Sequence, residues 1–220
     1  MQKNGKTFLW FYAPGYIDDS QGLRTELMSE ITGMSISQKH IAKGSFNYRL
    51  NTAEHIILEG IQANKEFRIS GFSSPFTKMH PVEFGPVFHV TDAAASVLGT
   101  FSQDGLNALA VKELNGWNSI YCASILMDKE LLKNIARYAG VHFYSDKPDI
   151  YIEANNNLLM LHNCSQSRQE LSISLPEKSL VEEIYTGEKI KKSVNNFDVT
   201  IQGYDTLVYR LTSQINQLTE

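Results

Sequence analysis

Between residues 106 and 146 the chain passes through two apolar runs joined by a glycine turn, then a helical period, then a short third run. Residues 106–114 and 117–123 flank Asn115-Gly116, a dipeptide suited to the positive-φ positions of a tight hairpin. Asp128 offers a capping carboxylate to a helix whose Leu131, Leu132, Ile135 and Ala139 recur on one face. Gly140 stands where a left-handed residue closes a helix, and residues 141–144 read as a final strand. Strand–helix alternation of this kind predicts an α/β layer. The stretch holds no nucleophile elbow, metal cluster or phosphate loop.

Upstream, residues 6–12 (KTFLWFY) form a continuous apolar run, as expected of a strand buried on both faces. Ala13-Pro14-Gly15 breaks it. Ser20 is the predicted N-cap of a helix carrying Leu23, Leu27 and Ile31, with Gly33 as its stop. Strand, loop and helix make half of a βαβ unit. Residues 35–81 read as loops and short pieces: an alternating run at 46–50, a helical turn at 55–60 and a strand at 67–72. Further strands are expected at 82–90 and 94–101.

Residues 145–149 mark a boundary, after which helical periodicity disappears. Short strands at 150–153, 158–163, 170–175, 181–185, 197–202 and 206–211, separated by turns, predict a small antiparallel sandwich. The expected organisation is an α/β domain over 1–146, a β-sandwich over 147–214 and a tail over 215–220.

Charge narrows the partners. Twenty Lys and Arg against 24 Asp and Glu leave a net charge of −4, which gives no footprint for nucleic acid. The basic run at 189–192 reads as a solvated edge. Two cysteines make no disulfide framework, and buried free thiols are the plainer reading. No run of about 18 apolar residues suggests a membrane-spanning helix, and the compartment stays open. The N-terminus has a basic start and a short apolar run, but it is rich in aromatics and lacks a small-residue cleavage pattern. A chain that enters a strand so soon after its first Met reads as a piece of a longer polypeptide.

Several segments together resemble the C-terminal part of glycoside hydrolases related to the family-42 β-galactosidases. They are KTFLWFYAPGYI (6–17), LMSEITGM (27–34), NALAVKELNGWNSIYCAS (107–124) and LLKNIARYAGVHFYSD (131–146), followed by LMLHN, IYTGE and VTIQGYDTLVYRL. The resemblance implies a flavodoxin-like layer similar to class I glutamine amidotransferases, known there as the trimerisation domain, with its first strands missing, followed by a small β-sandwich. The implied partners are a catalytic (β/α)8 barrel of the same polypeptide or further copies of the chain. The barrel carries that family's catalytic glutamates and is absent from this sequence, so no catalytic residue transfers. No cofactor is implied.

Read for chemistry directly, the chain offers weak candidates. Cys122 and His142 echo an amidotransferase pair, yet Cys122 lies between Tyr121 and Ala123 without the glycines of a nucleophile elbow. Glu26 with Glu30 and Glu54 with Glu59 sit about one helical turn apart and read as solvated faces rather than glycosidase pairs. Six histidines are scattered without metal-ligand spacing, so no metal site is expected. The loop of Tyr12, Pro14, Gly15 and Tyr16, leaving a strand and entering a helix, is where a ligand would sit on an α/β sheet. Its tyrosines, and Trp117 beyond the hairpin, could stack on a sugar, although packing against the protein's own core is the plainer reading. A carbohydrate-binding module is a rival function, and it requires coplanar exposed aromatics from among Tyr151, Tyr185, Tyr204 and Tyr209.

Overall fold

The computed structural model describes residues 5–39, 46–52, 54–68, 72–74, 77–80, 85–155, 157–190 and 192–213. These fall into two compact units that part between Gly140 and Val141.

The first unit opens with β1 (Lys6–Phe11), a ribbon of β2 (Ile17–Asp18) and β3 (Gly22–Leu23), and helix α1 (Thr25–Thr32). Short strands follow: β4 (Ile36–Gln38), β5 (Tyr48–Leu50), β6 (Glu66–Phe67), β7 (Phe72–Ser74), β8 (Thr77–His80) and β9 (Phe88–Val90). Longer strands β10 (Ser96–Phe101), β11 (Asn107–Leu114) and β12 (Trp117–Cys122) precede helix α2 (Lys129–Tyr138). The main sheet runs β1-β12-β11-β10-β5-β6, and β9 joins β11 and carries β4.

The hairpin of β11 and β12 is its spine. Gly116 takes φ 86°, a conformation that costs a side-chain-bearing residue, and the strands then pair from Leu114↔Trp117 to Leu109↔Cys122. Both strands lie between neighbours in the sheet, and Ala108–Val111 and Ser119–Cys122 are buried. Tyr48, Tyr121, Phe46, Phe88 and Phe101 fill the core around them. Helix α2 is capped by Asp128, whose carboxylate accepts from Leu131 N at 3.0 Å. It buries Leu131 and Ile135, while Leu132 stays half exposed.

This architecture corrects the α/β reading. Among the described residues strands account for 46% and helix for 11%, and the expected flavodoxin-like, amidotransferase-like layer is not the fold. A parallel sheet needs a crossover, usually a helix, between successive strands. Here β1 and β12 are the one parallel pair among the described strands, and antiparallel strands occupy the sequence between them. The apolar run of β1 belongs to an edge strand that is half buried, with Phe11 41% exposed. Ser20 does not cap a helix; its N–H and hydroxyl donate to Asp18 Oδ1 in the β2–β3 turn, and α1 begins at Thr25. Residues 141–144 form no strand. Of the expected strands at 67–72 and 82–90, residues 67, 72 and 88–90 lie in strands and 68 and 85–87 do not, while 69–71 and 82–84 lie outside the described residues.

The second unit contains β13 (Ile150–Asn155), β14 (Leu158–Asn163), β15 (Gln169–Glu183), β16 (Val194–Ile201) and β17 (Thr206–Ser213). They make one antiparallel sheet in the order β13-β14-β17-β15-β16, not two facing sheets. The runs expected at 170–175 and 181–185 belong largely to the single strand β15, whose register shifts between Ser174 and Ser179. Its first half pairs with β16 and its second half with β17, so the sheet curls around Leu159, Leu161, Leu171, Ile173 and Phe197.

Candidate functional site

The residues singled out by sequence do not converge. Cys122 is fully buried at the end of β12, and its thiol contacts Leu126 O at 3.9 Å. Burial pushes that thiol up to about 11, so at neutral pH it holds its proton and is a poor nucleophile. His142 lies in the second unit, exposed, with Nε2 bonded to Ser174 O at 2.8 Å. Tyr12 takes φ 58° and turns its ring onto Phe46 and Phe88, its hydroxyl donating to Pro86 O at 2.9 Å. Tyr16 is 9% exposed, packs on Phe88 and donates to Gln38 Oε1 at 2.8 Å. Gly15 fits because a Cβ there would collide with Ile31. The half-buried Trp117 packs edge-on against Phe8 at 5.7 Å. Pro14, within the same loop, is also half buried.

The open cavity of interest lies in the second unit. The curled sheet leaves a cleft of about 540 Å³ beside the second half of β15, β16 and the start of β17. That volume falls within the roughly 300–1,000 Å³ of small-ligand pockets. Register builds it: Glu183 of β15 stands opposite Tyr209 of β17, and Tyr209 packs edge-on to Phe197 of β16 at 5.2 Å. Strand alternation turns Phe197, Leu207 and Tyr209 toward this face. The turn from Tyr185 to Glu188 borders it, anchored where Glu183 Oε2 accepts from Thr186 N at 2.6 Å and Thr186 Oγ1 at 2.7 Å. Those bonds hold the Glu183 carboxyl below the usual carboxylate range.

Three further carboxylates, Glu188, Asp198 and Asp205, line the cleft, and among the described residues no Lys or Arg does so. Burial, with help from the Glu183 and Glu188 charges, pushes the Tyr209 phenol up to about 12. Tyr185 and Tyr209 were visible to sequence reasoning as aromatics, but the carboxylates were not. Glu183 and Glu188 are separated from Asp205 by a whole strand, and only the β15–β17 register brings them together. Tyr151 and Tyr204 do not line the cleft. Among the described residues, no three His, Cys, Asp or Glu side chains are grouped closely enough to hold a metal ion. No described helix is long and apolar enough to cross a membrane.

Neither a protein-family model nor a curated protein matches the chain. Solved structures do. A β-galactosidase from Bacillus circulans sp. alkalophilus aligns with a TM-score of 0.60 and 16% identity over 94% of this chain and 29% of its own. A catalytic mutant of a GH42 β-galactosidase from G. stearothermophilus aligns at 0.56 and 14% identity, covering 96% of this chain and 28% of that one. The β-galactosidase from Rahnella sp. R3 gives 0.56 and 14%, covering 94% and 29%. The chain therefore has the fold of a part of GH42-type β-galactosidases, and it spans less than a third of their length.

Proposed function

We propose that this chain is a non-catalytic accessory region of a glycoside hydrolase of the β-galactosidase type, working beside a catalytic barrel supplied by the same polypeptide. The fold likeness carries the reading: both units align with β-galactosidases, as a minor share of those chains. The chemistry of the chain agrees with it. Its buried thiol is kept protonated, and the cleft's deepest carboxylate, Glu183, is committed to a turn rather than poised as an acid or nucleophile. The first unit then supplies contacts to the barrel or to another copy, and size-exclusion chromatography separates these two roles.

The coding DNA adjoining this segment tests the proposal. An in-frame stretch encoding a (β/α)8 barrel is the expected result. Stop codons bounding the segment on both sides, together with saturable hydrolysis of an aryl β-galactoside by the purified chain alone, would overturn it.

A further inference from the structure

The main sheet of the first unit ends on β1 with a row of unused backbone groups. Tyr12 N donates to Cys122 O at 2.8 Å, and the parallel register runs without a shift from Lys6↔Trp117 to Phe11↔Cys122. Alternation along the strand then turns the amides of Phe8, Trp10 and Tyr12 toward β12, and those of Thr7, Leu9 and Phe11 away from it. Among the described residues no group bonds to that outward row. β1 is also the one long edge of this sheet among the described strands, since β6 and β4, which end its other branches, have two and three residues.

Edge strands are commonly guarded against pairing by a charge, a proline or a bulge. The outer strands of the second unit carry such guards, with Glu153 exposed on β13 and Asp198 exposed on β16. From Thr7 to Phe11, β1 has no charge, no proline and no bulge. Its side chains there are only partly covered, and Phe11 is 41% exposed. An edge of this kind is open to another strand.

Hydrogen-bond parity selects a strand that fits. Outward amides bond only to outward amides, so an antiparallel copy of β1 docks with Leu9 opposite the partner's Leu9. Centring on Leu9 pairs every residue from Thr7 to Phe11. Thr7 then faces the partner's Phe11 in a hydrogen-bonded pair, and Phe8 faces the partner's Trp10 at the closer, non-bonded spacing. Aromatic meets aromatic there, because Phe8 and Trp10 stack at 5.5 Å on one face of β1, with Trp10 Nε1 held by Ser119 Oγ at 3.1 Å. The two Lys6 side chains fall at opposite ends of the paired strands, so no like charges meet. A two-fold axis uses the same edge twice and leaves no long edge of this sheet free, so assembly closes at two.

We propose that two copies of this chain join β1 to β1, antiparallel about Leu9, into one continuous sheet. This commits the first unit to one of the two contacts that the accessory reading allows. It fails separately from that reading, which the adjoining DNA tests.

Sedimentation equilibrium of the full chain is the test. A mass of twice 24.8 kDa is expected at high protein concentration, with dissociation on dilution. Thr7→Pro removes one outward N–H from each copy and spares the bonds to β12, so it should weaken the dimer about tenfold or more. An unchanged tryptophan emission spectrum shows that this variant is folded. Leu9→Cys in a Cys164→Ser background reads the register, since the remaining thiol, Cys122, is buried. Facing Cα atoms about 5.5 Å apart suit a disulfide, and oxidation should give a covalent dimer. Phe11→Cys in the same background should not cross-link, because the two-fold sets it opposite Thr7. Monomer at every concentration, a trimer, or open-ended aggregation overturns the proposal. So does undiminished dimerisation of Thr7→Pro, or equal cross-linking of the two cysteine variants.

Discussion

Asp92 ties together three segments of the first unit with one carboxylate. Oδ2 accepts from Lys112 Nζ at 2.7 Å and from Ser35 N at 3.0 Å, while Oδ1 accepts from Ala94 N at 2.9 Å. Lys112 also donates to Gly33 O at 2.9 Å, so the C-terminal end of α1 is fastened to β11 through the same ammonium. Burial alone would raise the Asp92 pKa, but the bonds from Lys112, Ser35 and Ala94 outweigh it and hold the carboxyl below its ordinary value. The sign follows from linkage. A carboxyl depressed in the folded state contributes stability above its unfolded pKa of about 3.9 and loses it as pH falls through the folded value. Asp92→Asn is expected to cost about 1–3 kcal/mol near pH 7, since Lys112 loses its charged partner. Urea titrations at pH 7 and below pH 4 check this: the gap between variant and parent should narrow in acid. A constant gap would show that the charge of Asp92 contributes nothing.

Helix α2 shows how local chemistry fixes an element. Asp128 caps Leu131 N and also pairs with Lys65, which adjoins β6, so one side chain both starts the helix and docks it. Asp128→Ala should cost about 1–2 kcal/mol, more than Asp128→Asn, which keeps the cap and loses the ion pair. Thermal melts of the two variants measure the order, and equal losses would count against the cap. This helix and the β11–β12 hairpin were legible in the sequence because their signals are local: a capping carboxylate, a closing glycine and an Asn-Gly turn. What was not legible depends on distant pairing. Nothing near Lys6 announces that it will lie parallel to Trp117, and an edge strand of aromatics reads like a buried one. Ser20 misled because Asp18, two residues earlier, captured its N–H and hydroxyl. The cleft was hidden for the same reason as the parallel pair, since Glu183 meets Tyr209 only through the register of β15 on β17.

At the scale of the whole molecule, two hydrophobic cores share no residue. The first draws on side chains no later than Tyr138, and the second on none earlier than Tyr144. Between them Gly140, Val141 and His142 are exposed. Among the described residues the second core rests on nine buried apolar side chains, a small number for a unit of that length, and small units bury a lesser fraction of their surface. Separate cores predict separate cooperativity, with the smaller unit giving way first. The chain carries its own reporter of the difference. Both tryptophans, Trp10 and Trp117, lie in the first unit, on the paired strands β1 and β12. Tryptophan fluorescence therefore follows that unit alone, while far-ultraviolet circular dichroism follows both sheets. On heating, the dichroism signal should begin to fall while tryptophan emission is still native, and the fluorescence midpoint should lie higher. Coincident curves from the two probes would mean that the cores unfold as one cooperative block, and the division at Gly140 would then have no thermodynamic content.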